Sequence, residues 1–272
     1  MGGAMAAAGL GGAAGAAATQ AAAAAPGDIK LGVASYSLRE FQRDLAIRMI
    51  RQLGVPYVSV KECHLSYRST PQELEAGARE FEKAGLIIAG GGTIYMMKDD
   101  DDDIRRYFDY ARACHMPLMT IGPTHENLRR IEKFVKEYDI KVAIHNHGPE
   151  DERFPSPVVA LKAVQGMDPR MGLCIDVGHA VRTGANIVES VRSAGPRLLD
   201  MHIKDLRDLK DRDSQVPVGD GAIPIVGIFQ ELKRMNYAGC VNLEYEVDAD
   251  SPLLGMSKSL SYMRGVLAGL KG

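Results

Sequence analysis

Short apolar runs alternate with amphipathic stretches along most of the chain. The runs LGVASYS (31–37), YVSVKEC (57–63), LIIAGGG (86–92), PLMTIG (117–122), KVAIHN (141–146), GLCIDV (172–177), LLDMHI (198–203) and CVNLEY (240–245) predict strands. Helix-period stretches fill the gaps at 41–53, 71–84, 103–114, 125–138, 156–166, 186–194, 224–236 and 257–269. Caps support several of them, as where Thr70 precedes Pro71 at the first helical position. Strand and helix alternating eight times predict the α/β class with a parallel sheet, closed as a single (β/α)8 TIM barrel.

The order of residues at the strand ends strengthens closure. AIHNH ends on His145, LCIDVGH carries Asp176, LDMHIKD carries His202 and VNLEYE carries Glu244. These four lie 31, 26 and 42 residues apart, each about one strand, one helix and their loops. Ligand-type side chains at the C-terminal ends of successive parallel strands meet at one point only if the sheet closes on itself, and that rim is where barrel chemistry sits. The pattern predicts a metal centre.

Composition changes this picture only at the N-terminus. Residues 1–27 are almost wholly Ala, Gly and Met and end in small residues before Pro26-Gly27, which reads as a secretory leader. It resembles a twin-arginine signal lacking its basic segment, since the first basic residue is Lys30, and a start assigned too far downstream would account for that. The expectation is export to the periplasm, or a cytoplasmic protein if 1–27 is no signal. Residues 28–272 then form the barrel domain, and no later stretch has the length and apolarity for stable membrane insertion. A net charge of −2 leaves no electrostatic footprint for nucleic acid. Cys63, Cys114, Cys174 and Cys240 form no C-x-x-C pair, three fall in predicted strands, and buried free thiols are expected. With no Trp, sugar stacking would fall to Tyr or Phe. Asp99–Asp103 reads as the solvated, dipole-matched start of a helix. The charged loop from Leu206 to Ala222 is a candidate lid on the rim.

IHNHGPED, LCIDVGHAVRTG, LDMHIKDL, VPVGDGAIP and YAGCVNLEYE together resemble the xylose-isomerase-like TIM-barrel superfamily over roughly residues 30–270. Its members include sugar and sugar-phosphate isomerases and epimerases, inosose dehydratases and endonuclease IV-type enzymes. In the epimerases Glu, Asp, His and Glu from strands five to eight hold a divalent ion, usually Mn2+. The resemblance then implies Asp176, His202 and Glu244 as ligands, with His145 where the epimerases have Glu. Such a nitrogen–oxygen set suits Mn2+, and equally Zn2+, Co2+ or Fe2+.

That departure weakens a symmetric two-carboxylate epimerase, because there the two Glu residues also move the proton. His147, on the same strand face as His145, is the expected acid/base or substrate contact, beside Glu244 as the catalytic carboxylate. Lys204 is expected to hold a substrate oxygen, or else to pair with Asp200 or Glu62. His64 and His179 are expected to contact substrate, the latter with a supporting role behind the metal as its alternative. Gly90-Gly91-Gly92 could let a ligand approach the backbone. The expected activity is metal-dependent isomerisation or epimerisation of a small carbohydrate through an enediolate. A keto-sugar or keto-cyclitol lyase or dehydratase is the alternative, and a non-catalytic metal- or sugar-binding barrel the third reading. A homo-oligomer is compatible with the sequence. A nuclease is disfavoured by the balanced charge and the few histidines.

Overall fold

The computed structural model describes residues 28–270, so the expected leader lies outside the described residues. Eight parallel strands close into a barrel: β1 (Lys30–Ala34), β2 (Tyr57–Val60), β3 (Ile87–Met96), β4 (Leu118–Pro123), β5 (Lys141–His145), β6 (Met171–Asp176), β7 (Leu198–Ile203) and, after a two-stranded hairpin of β8 (Asp205–Leu206) and β9 (Gln215–Val216), β10 (Cys240–Leu243). The first and last barrel strands pair in register, with Lys30 opposite Cys240 and Val33 opposite Leu243. Helices α1 (Arg43–Leu53), α2 (Pro71–Lys83), α3 (Asp101–Ala113), α4 (Leu128–Tyr138), α5 (Pro157–Ala163), α6 (Val177–Arg182), α7 (Ile187–Ala194), α8 (Ile225–Arg234) and α9 (Leu253–Gly269) connect or follow the strands.

The local signals act as the sequence predicts. Thr70 caps α2 in a reciprocal capping box with Glu73, and Pro71 opens the helix. Asp100 caps α3 by accepting from the Asp103 N–H at 2.8 Å, while Asp99 and Asp101 pair with Arg130, a solvated start rather than a cation site. The last helix packs on its own barrel, against α1 and α8, and Arg264 donates to the carbonyls of Leu53 and Gly54 where α1 ends. Its own Met256, Leu260 and Met263 form the buried face.

Three features depart from the expectation. Helix α6 opens straight from β6, with Asp176 as its N-cap, so His179 stands on a helix rather than in a loop. Strand β2 stops at Val60 and the chain turns at once, the His64 N–H bonding to the Lys61 carbonyl at 2.9 Å. Cys63 therefore sits in an exposed turn, and the buried free thiols are Cys114, Cys174 and Cys240.

Two glycines of β3 serve strand packing. A Cβ on Gly90 would lie 2.9 Å from the Leu118 carbonyl, and one on Gly91 would lie 2.6 Å from that of Val60. Bare backbone lets β3 fit between β2 and β4 where the register shifts. Gly91→Ala is expected to cost about 1–3 kcal/mol, as an overpacked core position does. Its urea midpoint should fall with an unchanged slope; an unaltered midpoint would show that the strands have room to spare.

Candidate metal centre

Strands β5, β6 and β7 and the end of β10 deliver His145, Asp176, His202 and Glu244 to one point on the C-terminal rim. One donor atom from each lies within 4.8 Å of all the others, and all four residues are buried. His145 Nε2 is 3.2 Å from His202 Nδ1 and 3.6 Å from Asp176 Oδ2, and His202 Nδ1 is 3.3 Å from Glu244 Oε2. Two ring nitrogens and two carboxylate oxygens thus face a common centre.

The donor set fits a divalent cation on two further grounds. Asp176 Oδ2 is buried without a hydrogen-bond partner, although Lys204 Nζ stands 3.0 Å away outside bonding geometry. Mixed imidazole and carboxylate donors suit first-row divalent ions, with selection left to geometry and supply. Asn146 fixes the carboxylate side of the site: its amide donates to the Asp176 carbonyl at 3.0 Å and accepts from the Asp176 N–H at 3.1 Å. Behind His202, Cys174 stands close enough to form a second group with the two histidines.

Lys204 is 4% exposed and lies among carboxylates. Its ammonium is 2.9 Å from Glu244 Oε2, 3.0 Å from Asp176 Oδ2 and in close contact with Glu246. The expected partners Asp200 and Glu62 are not its neighbours. Asp200 accepts from Thr120 and Asn242 instead, and burial lifts its carboxyl to about 6. Glu62 pairs with Lys61.

The electrostatics follow from burial opposed by these contacts. Burial works against the charge of Glu244, yet His202 and Lys204 hold it well below the usual carboxylate range. Burial likewise opposes the Lys204 ammonium, and Asp176, Glu244 and Glu246 hold its proton on. Burial and the neighbouring His147 and His202 rings hold His145 well below the usual imidazole range, which favours the neutral ring. For His202, burial is outweighed by Cys174 and Glu244, which raise its basicity.

Two cavities open beside the cluster. One, of about 280 Å³, is bordered by His145 and Glu244 together with Tyr36, Lys61, Tyr95 and His147. The other, of about 350 Å³, is bordered by Lys204, Arg39, Arg182, Arg212 and Gln215. His179 and Glu246 border both.

His147 lies beside the centre with Nε2 2.9 Å from Tyr95 Oη, while its buried Nδ1 has no hydrogen-bond partner, Asp151 Oδ2 standing 3.3 Å away outside bonding geometry. Burial, with the adjacent His179, lowers it to about 4. His179 lies against Arg182, and burial lowers its basicity too.

His64 is the correction among the expected site residues. It is buried, with Nδ1 3.0 Å from Ser35 Oγ and Nε2 3.2 Å from the Phe41 carbonyl, and it borders neither of these cavities. The turn after Val60 carries it beneath the rim and leaves Lys61 and Glu62 at the cavity. His115 pairs with Glu82, and His125 bonds to the Arg153 carbonyl, away from the cluster.

Several residues of the site lie beyond the predicted strands. Glu246 follows Glu244 by two and borders both cavities, so alternation beyond the strand end could have found it. Asp205 is 1% exposed, and its carboxylate accepts from the N–H groups of Leu206, Gly219, Gly221 and Ile223, tying down the loop after β7. From that loop Gln215 donates to the Glu244 carbonyl at 2.8 Å and accepts from the Glu246 N–H at 3.1 Å. Gln215 thus ties the charged loop to the segment just past β10 that carries Glu244 and Glu246.

Comparison with known proteins shows the family and the fold. The family model described as xylose isomerase-like TIM barrel matches residues 47–266. An inosose dehydratase from Bacillus velezensis is 28% identical over 140 residues, covering 45% of this chain and 46% of that protein. The chain spans about half the length of the curated relatives it matches. An uncharacterised protein from Parabacteroides distasonis superposes with a TM-score of 0.68 at 26% identity, covering 87% of this chain and 98% of that one. A D-psicose 3-epimerase crystallised with D-fructose superposes with a TM-score of 0.70 at 18% identity, over 89% and 100% of the two chains, a likeness of fold. Closed barrel, rim cluster and family model together make this chain a member of the xylose isomerase-like TIM barrel family.

Proposed function

We propose that the chain is a divalent-metal-dependent isomerase or epimerase of a small sugar or sugar derivative, moving a proton on the carbon next to a carbonyl. The observation that carries this reading is the four-donor cluster at the rim, with Glu244 and His145 both bordering an open cavity. An ion held by His145, Asp176, His202 and Glu244 would supply Lewis-acid polarisation of a substrate carbonyl and acidify the neighbouring C–H. Mn2+ is the first choice, with Zn2+, Co2+ and Fe2+ as alternatives.

The chain's own groups do the rest. Glu244, kept ionised by its neighbours, takes the proton from carbon. The Tyr95–His147 pair borders the same cavity and returns a proton to the other carbon or oxygen. Lys61 and the ring of Tyr36 offer a donor and an apolar face to a sugar.

A lyase is the second reading, favoured by two observations. His145 stands where the epimerases have a carboxylate, and the curated relatives that match include inosose dehydratases. Enolisation would then be followed by expulsion of a β-substituent.

Incubation of the Mn2+-loaded protein in D2O with aldoses, ketoses and 3-keto-glycosides, followed by proton NMR, separates the readings. Deuterium next to a carbonyl with an isomeric sugar appearing supports the isomerase. A released leaving group with an enone supports the lyase. Bound metal with no exchange in any substrate or with any of the four ions would overturn both.

A further inference from the structure

A guanidinium is buried directly behind the ring of His179. The Arg182 side chain is 4% exposed, and one end of it pairs with Glu150 in the loop after β5. Its Nη2 lies 2.8 Å from His179 Nδ1 and 3.4 Å from the His147 carbonyl. Gly148 makes room: it has a φ of +85°, and a Cβ there would collide with the guanidinium. Loop, helix and glycine together place this one positive group against one nitrogen of one ring.

Guanidinium groups only donate hydrogen bonds. Nδ1 of His179 must therefore accept, because a proton on it would set two donors against each other. A neutral ring that accepts at Nδ1 carries its hydrogen on Nε2. Among the described residues Nε2 has no hydrogen-bond partner and is not a buried orphan, and the ring borders both cavities. We infer that Arg182 is a positioning residue that locks His179 in the Nε2–H tautomer, so that His179 serves the site as a hydrogen-bond donor to a substrate oxygen and not as a base.

The lock also links two parts of the rim. Glu150 and the His147 carbonyl belong to the loop after β5, and His179 and Arg182 to α6. The direction of the His179 hydrogen bond is thus set by contacts outside the four-donor cluster. The tautomer follows from these contacts alone; its catalytic consequence rests on the function proposed above.

The test is a long-range proton–nitrogen correlation spectrum of the full chain, labelled with 15N-histidine and loaded with diamagnetic Zn2+. His179→Gln assigns the signal by difference. The expected result is a His179 ring with proton-free Nδ1 and protonated Nε2. In Arg182→Met this pattern should give way to a tautomer mixture, and Arg182→Lys, which still donates, should restore it in part. Circular dichroism checks that the variants fold; should Arg182→Met fail, Glu150→Gln loosens the same guanidinium more gently. A wild-type ring protonated on Nδ1, or a pattern indifferent to both Arg182→Met and Glu150→Gln, would overturn the inference. In the deuterium-exchange assay, Arg182→Met should lower kcat by up to about 10²-fold with a smaller change in KM, as misdirected contacts do. If wild-type protein shows no exchange, the proposed function fails while the spectrum still decides the tautomer.

Discussion

Glu244→Gln is expected to lose both metal and turnover while the barrel stays folded. Glu244 contributes one of four converging donors and is 3.3 Å from His202 Nδ1 and 2.9 Å from Lys204 Nζ. The amide removes a negative charge from the centre and takes the proposed proton acceptor with it. Lewis-acid polarisation supplies several kcal/mol, and each 1.4 kcal/mol is about tenfold, so turnover should fall on the order of 10³-fold or more. His202→Ala should behave alike through loss of a nitrogen donor. Metal content of the dialysed protein and the deuterium-exchange rate are the two readouts. Full activity with stoichiometric metal in both variants would mean that the four residues are not the centre.

Asp205→Ala should give the largest stability loss outside the core. It orphans four backbone N–H groups, of which those of Leu206 and Ile223 are buried. An unsatisfied buried donor costs about 1–3 kcal/mol, so a loss of about 3 kcal/mol or more is expected in urea unfolding. Asp205→Asn keeps the oxygen that serves Leu206 and Ile223 and should lose about half as much. The effect should reach the chemistry as well, because the same loop carries Gln215, which grips the backbone at Glu244 and Glu246. Exchange activity should fall while the isolated ion still binds. Equal stability of Asp205→Ala and wild type would show that the loop is held by other contacts.

How much of this is legible in the sequence depends on range. The barrel is written in alternation that any strand window detects, and His145, Asp176 and His202 stand at the ends of apolar runs where a rim residue must be. Helix α6 escapes because six residues carry too little periodicity and Asp176 serves at once as strand end and cap. His64 is misplaced because a strand ending at Val60 and one ending at Cys63 look alike in hydrophobicity, yet the early turn sends the ring under the rim. The partners of Lys204 and Arg182 lie in other strands and loops, and no local pattern encodes which carboxylate a buried cation will meet.

The pairing of β1 with β10 sets a timetable for biosynthesis. A chain leaving the ribosome can stack its early strands, but both edges of that partial sheet stay open until the final strand is made. Glu244 arrives just past that strand, so a nascent chain holds three of the four donors and has no complete site to load. An ion held by the proposed centre would consequently be taken up after translation, and a chain cut short before residue 240 would be unclosed and lack one of the four donors.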